Sequence, residues 1–117
     1  MIRLLAFLAL LPGSALAQQA VSQPGGELRV LDKVTGEVSD VTIAAGDFSA
    51  LGLLLIQLND CRVPADNPSG DAYAELSVTY ANDETPVFSG WMIASSPALN
   101  AMDHPRYDVW VMRCTSA

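Results

Sequence analysis

The chain has 117 residues, room for one small domain, and a formal net charge of −7 from 13 acidic and 6 basic side chains. That balance excludes the basic patches by which proteins grip nucleic acid or anionic lipid. Two cysteines and one histidine are too few for a tetrahedral zinc cage.

Residues 1–17 read as a targeting segment that is cleaved. Met1-Ile2-Arg3 supplies a positive start, Leu4 to Leu11 an apolar run too short to span a bilayer, and Ala15-Leu16-Ala17 an A-x-A cleavage site. No lipobox cysteine stands near that site, so the expectation is a soluble periplasmic protein starting at Gln18, with no membrane span after cleavage. Residues 18–26 (QQAVSQPGG) are polar and end in Pro-Gly-Gly, the composition of a flexible leader. The remaining residues, 27–117, make a single β domain.

Both cysteines fall in that domain. An even cysteine count in an exported chain predicts a structural disulfide, Cys61 to Cys114, and the spacing is not that of a redox CxxC pair.

Residues 27–43 (ELRVLDKVTGEVSDVTI) place β-branched runs on either side of Thr35-Gly36, a hairpin signal. Phe48 to Leu51 reads as a short strand. Residues 53–63 (LLLIQLNDCRV) read as a strand between Gly52 and Pro64, with Leu54, Ile56 and Leu58 on the core face. Cys61 then points off that face unless a bulge shifts the register. Residues 64–71 (PADNPSGD) form a loop. Its Asp66, Asn67 and Asp71 lack the spacing of a calcium-binding EF-hand and read as solvated.

Ala72 to Tyr80 alternates cleanly, with Ala74, Leu76, Val78 and Tyr80 on one face. Val87 to Ala94 is the next strand, and Gly90 marks a bulge or a close contact within it. Ser96 as cap and Pro97 at the first helical position predict a short helix ended by His104-Pro105, with Leu99 and Met102 turned to the core. Tyr107 to Cys114 closes the domain, with Tyr107, Val109 and Val111 sharing a face. The fold class is therefore all-β: a small antiparallel sandwich or barrel of six to seven short strands with one short helix.

No chemistry-bearing constellation outweighs its structural reading. Ser95, Ser96, His104 and Asp108 (or Asp103) are the residue types of a catalytic triad. No nucleophile elbow accompanies them, and they read as helix cap and turn. Asp83-Glu84 are neighbours in one turn, not acids opposed across a cleft. Trp91, Trp110, Tyr107, Tyr73 and Tyr80 could form a stacking platform, the basis of an alternative reading as a cell-wall or glycan-binding module. Trp91, Met92, Arg106, Tyr107 and Trp110, together with Met102 and Met112, are of the types enriched at protein interfaces. They are the candidate partner-binding residues. No enzyme activity and no cofactor are implied.

The run GWMIASSPALNAMDHPRYDVWVMRC, with LDKVTGEV near the start and DCRVP around Cys61, resembles the signature of a family of short exported bacterial proteins. That family is catalogued only as a domain of unknown function. The likeness covers residues 27–114, nearly the whole domain. It implies one partner: genes of such proteins tend to sit beside that of an accessory subunit of respiratory complex I. The expectation is a non-catalytic protein-interaction domain of the cell envelope, an accessory subunit on the periplasmic face of that inner-membrane complex. Amino-terminal sequencing of the exported protein checks the first step. It is expected to begin at Gln18, and recovery of the chain with Met1 intact would contradict it.

Overall fold

The structure, a computed structural model, describes residues 19–116. The expected signal segment, 1–17, lies outside the described residues, as does Gln18.

Among the described residues there are eight strands: β1 (Ala20–Ser22), β2 (Gly25–Asp32), β3 (Val38–Ala44), β4 (Phe48–Leu51), β5 (Leu54–Pro64), β6 (Tyr73–Tyr80), β7 (Phe88–Ile93) and β8 (Tyr107–Thr115). The larger sheet runs β1-β5-β6-β7. β4 pairs with β5 at Leu54–Gln57 and β1 pairs with it at Arg62–Pro64, so the two lie in series along one edge. The smaller sheet runs β3-β2-β8. Every pairing is antiparallel.

The two sheets pack face to face as the expected sandwich. Leu54, Ile56, Leu58, Leu76 and Val78 of the larger sheet meet Leu28, Val30, Val109 and Val111 of the smaller one in a single core. Alternation fixes which residues go inside: each strand presents every second side chain to the opposite sheet.

Three expectations change. The stretch 18–26 is not a free leader over its described part: Ala20–Ser22 pairs with β5, and Gly25-Gly26 open β2. Its weak apolar content hid a strand held by backbone hydrogen bonds. The short helix reduces to a 3-10 turn, Pro97–Leu99, and Ser96 makes no side-chain cap. Leu99 is 74% exposed, so only Met102 reaches the core. Gly90 is no bulge, since β6 and β7 pair without a register shift across it. It is a close contact, because a Cβ there would lie 3.2 Å from Asn100 Nδ2, which donates to Trp91 O.

Cys61 and Cys114 are joined, with Cα atoms 5.7 Å apart. The bond links β5 of one sheet to β8 of the other, and Cys61 is completely buried. Gly26 lies against it: a Cβ there would sit 3.1 Å from the Cys61 sulfur, so only glycine leaves the bridge its space.

On the chain-entropy model, closing a loop with a sequence separation of 53 stabilises the fold by about 4 kcal/mol. Replacing both cysteines by serine is expected to lower the unfolding free energy measured in urea by about that much. An unchanged midpoint would contradict the bridge's role.

Candidate docking surface

The five residues expected to bind a partner do not come together. Met92 and Tyr107 are core residues, 4% and 3% exposed, because each falls on the inward face of its strand. Arg106 is committed to Asp32, with Nη2 donating at 3.1 Å and Nε at 3.4 Å, and lies 5.2 Å from the Tyr107 ring centre. Trp91 is opposite Glu75 on the outer face of the larger sheet, whereas Trp110 is opposite Arg29 on the outer face of the smaller one. Each indole is half-buried.

The residue types of a catalytic triad have other partners. Ser95 Oγ donates to Asp71 Oδ2 at 2.7 Å. His104 is buried, and its Nδ1 accepts from the backbone N–H groups of Arg106 and Tyr107. Lys33 Nζ donates to the His104 carbonyl at 2.8 Å and lies 3.3 Å from Asp108. These contacts bolt the segment before β8 onto the hairpin turn. Asp32 serves the same corner, its Oδ1 accepting from Val34 N and Thr35 N. The Arg106 guanidinium, bonded to it, holds its carboxyl below the usual range.

Asp71, in the loop where calcium was considered, clasps β7's exit instead. It accepts from Ala72 N, Ser95 N and Ser95 Oγ. Burial pushes its carboxyl up, but those hydrogen bonds outweigh burial and hold it below the ordinary value. It borders a cleft of about 610 Å³ at the bridge end of the sandwich, lined also by Ser95, Met112, Arg113 and Cys114.

The residues left with apolar surface in water are elsewhere. Phe48 is 68% exposed, Leu53 47% and Leu55 41%. Phe48 pairs with Gln57 and Ala50 with Leu55, so all four side chains stand on the outer face of β4–β5, away from the core. Phe48 and Leu55 are diagonal neighbours there, within reach of one another. Leu53 adjoins them at the β4–β5 turn, where Leu53 O accepts from Ala81 N at 2.8 Å. A groove of about 310 Å³ runs between Ala50, Leu53, Leu55 and the Ala81-Asn82 turn. Farther along the same face, Tyr73, Trp91 and Ile93 flank a second groove of about 250 Å³ with Ala20 and Arg62. The Arg62 guanidinium lies 5.2 Å from the Trp91 ring centre and its Nε bonds Asp60 at 2.7 Å.

Ranking by residue type favours tryptophans and methionines, and so passes over Phe48, Leu53 and Leu55. A signal did exist. If Leu54, Ile56 and Leu58 are inside, period-two alternation leaves Leu55 outside, and a leucine there needs a reason.

Fold and surface define a small β-sandwich with one disulfide between its sheets and an apolar strip on an outer face. Residues 26–114 match the family described as "Uncharacterized protein conserved in bacteria (DUF2155)", and the chain belongs to that family. It is 32% identical over 92 residues to "Uncharacterized protein RP359" of Rickettsia prowazekii (strain Madrid E). That alignment takes in 76% of this chain, which spans 59% of the relative's length. No solved structure matches. Among the described residues no helix is long and apolar enough to cross a membrane.

The Asp71 clasp sets a pH dependence. Its folded pKa lies below the unfolded value, so its stabilisation is complete above about 3.8 and is lost as pH falls through the folded value. Asp71→Asn is expected to cost about 1–2 kcal/mol at neutral pH. The variant's urea midpoint should then fall less steeply than the parent's as pH drops below 3.8. Parallel acid profiles would remove the clasp's role.

Proposed function

We propose that this chain is a non-catalytic protein-interaction domain of the cell envelope, exported to the periplasm. There it docks onto another protein as an accessory subunit on the periplasmic face of respiratory complex I. The observation that carries the docking reading is the contiguous strip of Phe48, Leu53 and Leu55 on an outer sheet face. Apolar side chains scattered singly need no explanation, but a contiguous strip marks an interaction surface. The disulfide fits an oxidising compartment. The choice of complex rests on the gene neighbourhood that the resemblance implies. We take the run from Gly90 to Cys114 as the family's signature; in this chain it builds most of β7, the 3-10 turn and β8.

Glycan binding has less support. Tyr107 is buried, and the Arg62 guanidinium already lies over the Trp91 ring, where a sugar would stack.

The test is native electrophoresis of membranes solubilised in mild detergent, probed for this chain and for complex I. The expected result is co-migration that survives dilution. Recovery of the wild-type protein only as a free monomer would overturn the proposal.

A further inference from the structure

The charge of the described residues is segregated. Every lysine and arginine among them faces a carboxylate: Arg29 with Asp40, Lys33 with Asp108, Arg62 with Asp60, Arg106 with Asp32, and Arg113 with Glu27. These pairs lie on the smaller sheet, its hairpin corner and the β1 end of β5. No lysine or arginine occurs between Lys33 and Arg62, or between Arg62 and Arg106. Those two stretches supply all of β4, the groove-lining part of β5 and the turn that walls the groove.

The acids there face no cation. Asp47 immediately precedes Phe48, and Asp83 and Glu84 follow Ala81-Asn82 in the turn beside Leu53 and Leu55. All three are exposed. An apolar strip is thus flanked along the chain by carboxylates that no lysine or arginine among the described residues faces. Covering the strip removes water from that rim. The cost is met when the covering surface brings positive charge, and it grows when that surface is negative.

We infer that the surface seated on Phe48, Leu53 and Leu55 is a cationic protein segment, with apolar side chains for the groove and lysine or arginine for the rim. This rests on the docking reading above and narrows it to one face and one partner chemistry. A second copy of this chain would set the same carboxylates against each other. An anionic lipid surface meets the same repulsion.

The test places a photo-reactive amino acid at Leu55 in cells that make the natural partner. A second strain carries it at Val38, an exposed residue of the smaller sheet. The expected result is an adduct from Leu55 whose partner peptide, sequenced by mass spectrometry, carries net positive charge. Adduct yield should fall about tenfold when Asp47→Asn, Asp83→Asn and Glu84→Gln are combined. That variant must keep the parental thermal unfolding curve, so that a lost adduct is not lost folding. An adduct to lipid, to a second copy or to an acidic peptide overturns the inference, as does an undiminished yield in the neutralised variant. Adducts from Val38 alone overturn it while leaving the docking reading standing. No adduct from either position overturns both.

Discussion

Two extra residues make the inter-sheet bond possible. In β5 the pairing with β6 skips Asn59: Leu58 faces Leu76, and Asp60 faces Glu75. In β8 the pairing with β2 skips Met112: Val111 faces Leu28, and Arg113 faces Glu27. Were Asn59 paired as an ordinary strand residue, the alternation that puts Leu54, Ile56 and Leu58 inside would turn Cys61 to solvent. Were Met112 paired in the same way, the alternation of Tyr107, Val109 and Val111 would turn Cys114 out as well. One unpaired residue in a strand reverses which face the following side chains take. Both reversals occur just before a cysteine, one in each sheet, so the two sulfurs meet in the interior. The small sheet is thereby tied to the large one, and Gly26 of β2 provides the gap into which the bridge fits.

That arrangement leaves the two outer faces different. The smaller sheet's outer face is laced with charge, Arg29 bonding Asp40 at 2.8 Å, with Trp110 half-buried alongside. The larger sheet's outer face carries Phe48 and Leu55 near one end and Tyr73, Trp91 and Ile93 near the other. The core needs none of these residues. The proposed work of the domain therefore belongs to the larger sheet, and the smaller sheet, with its bolted corner at Asp32, Lys33, His104 and Arg106, gives that sheet a rigid back.

Much of the fold was legible because strands report their buried face through period-two alternation. The core positions in β5, β6 and β8 could be read this way, whereas the hairpin at Thr35-Gly36 was read from its turn residues and the cysteine pairing from an even count in an exported chain. The reading of Cys61 depended on a bulge that no residue type announces: Asn59 is an ordinary polar residue, and only the pairing with β6 shows it to be the extra one. β1 was missed because three small or polar side chains give no pattern; backbone pairing with β5 and one hydrogen bond from Ser22 Oγ to Asp60 Oδ2 hold it. The candidate partner-binding residues scatter for a different reason. Met92 and Tyr107 were chosen by type, yet their strand parity places them inside. Leu55, chosen by parity, would have led to the exposed strip.

The most direct test of this account moves the cysteine by one place, combining Asp60→Cys with Cys61→Ser, followed by thiol titration of the folded, non-reduced protein. Because the extra residue Asn59 turns position 60 outward, the moved thiol should fail to reach Cys114 and leave two titratable thiols, with cooperative unfolding at lower denaturant. A relocated variant with no free thiol and parental stability would contradict the claim that the paired bulges position the bridge on which the sandwich depends.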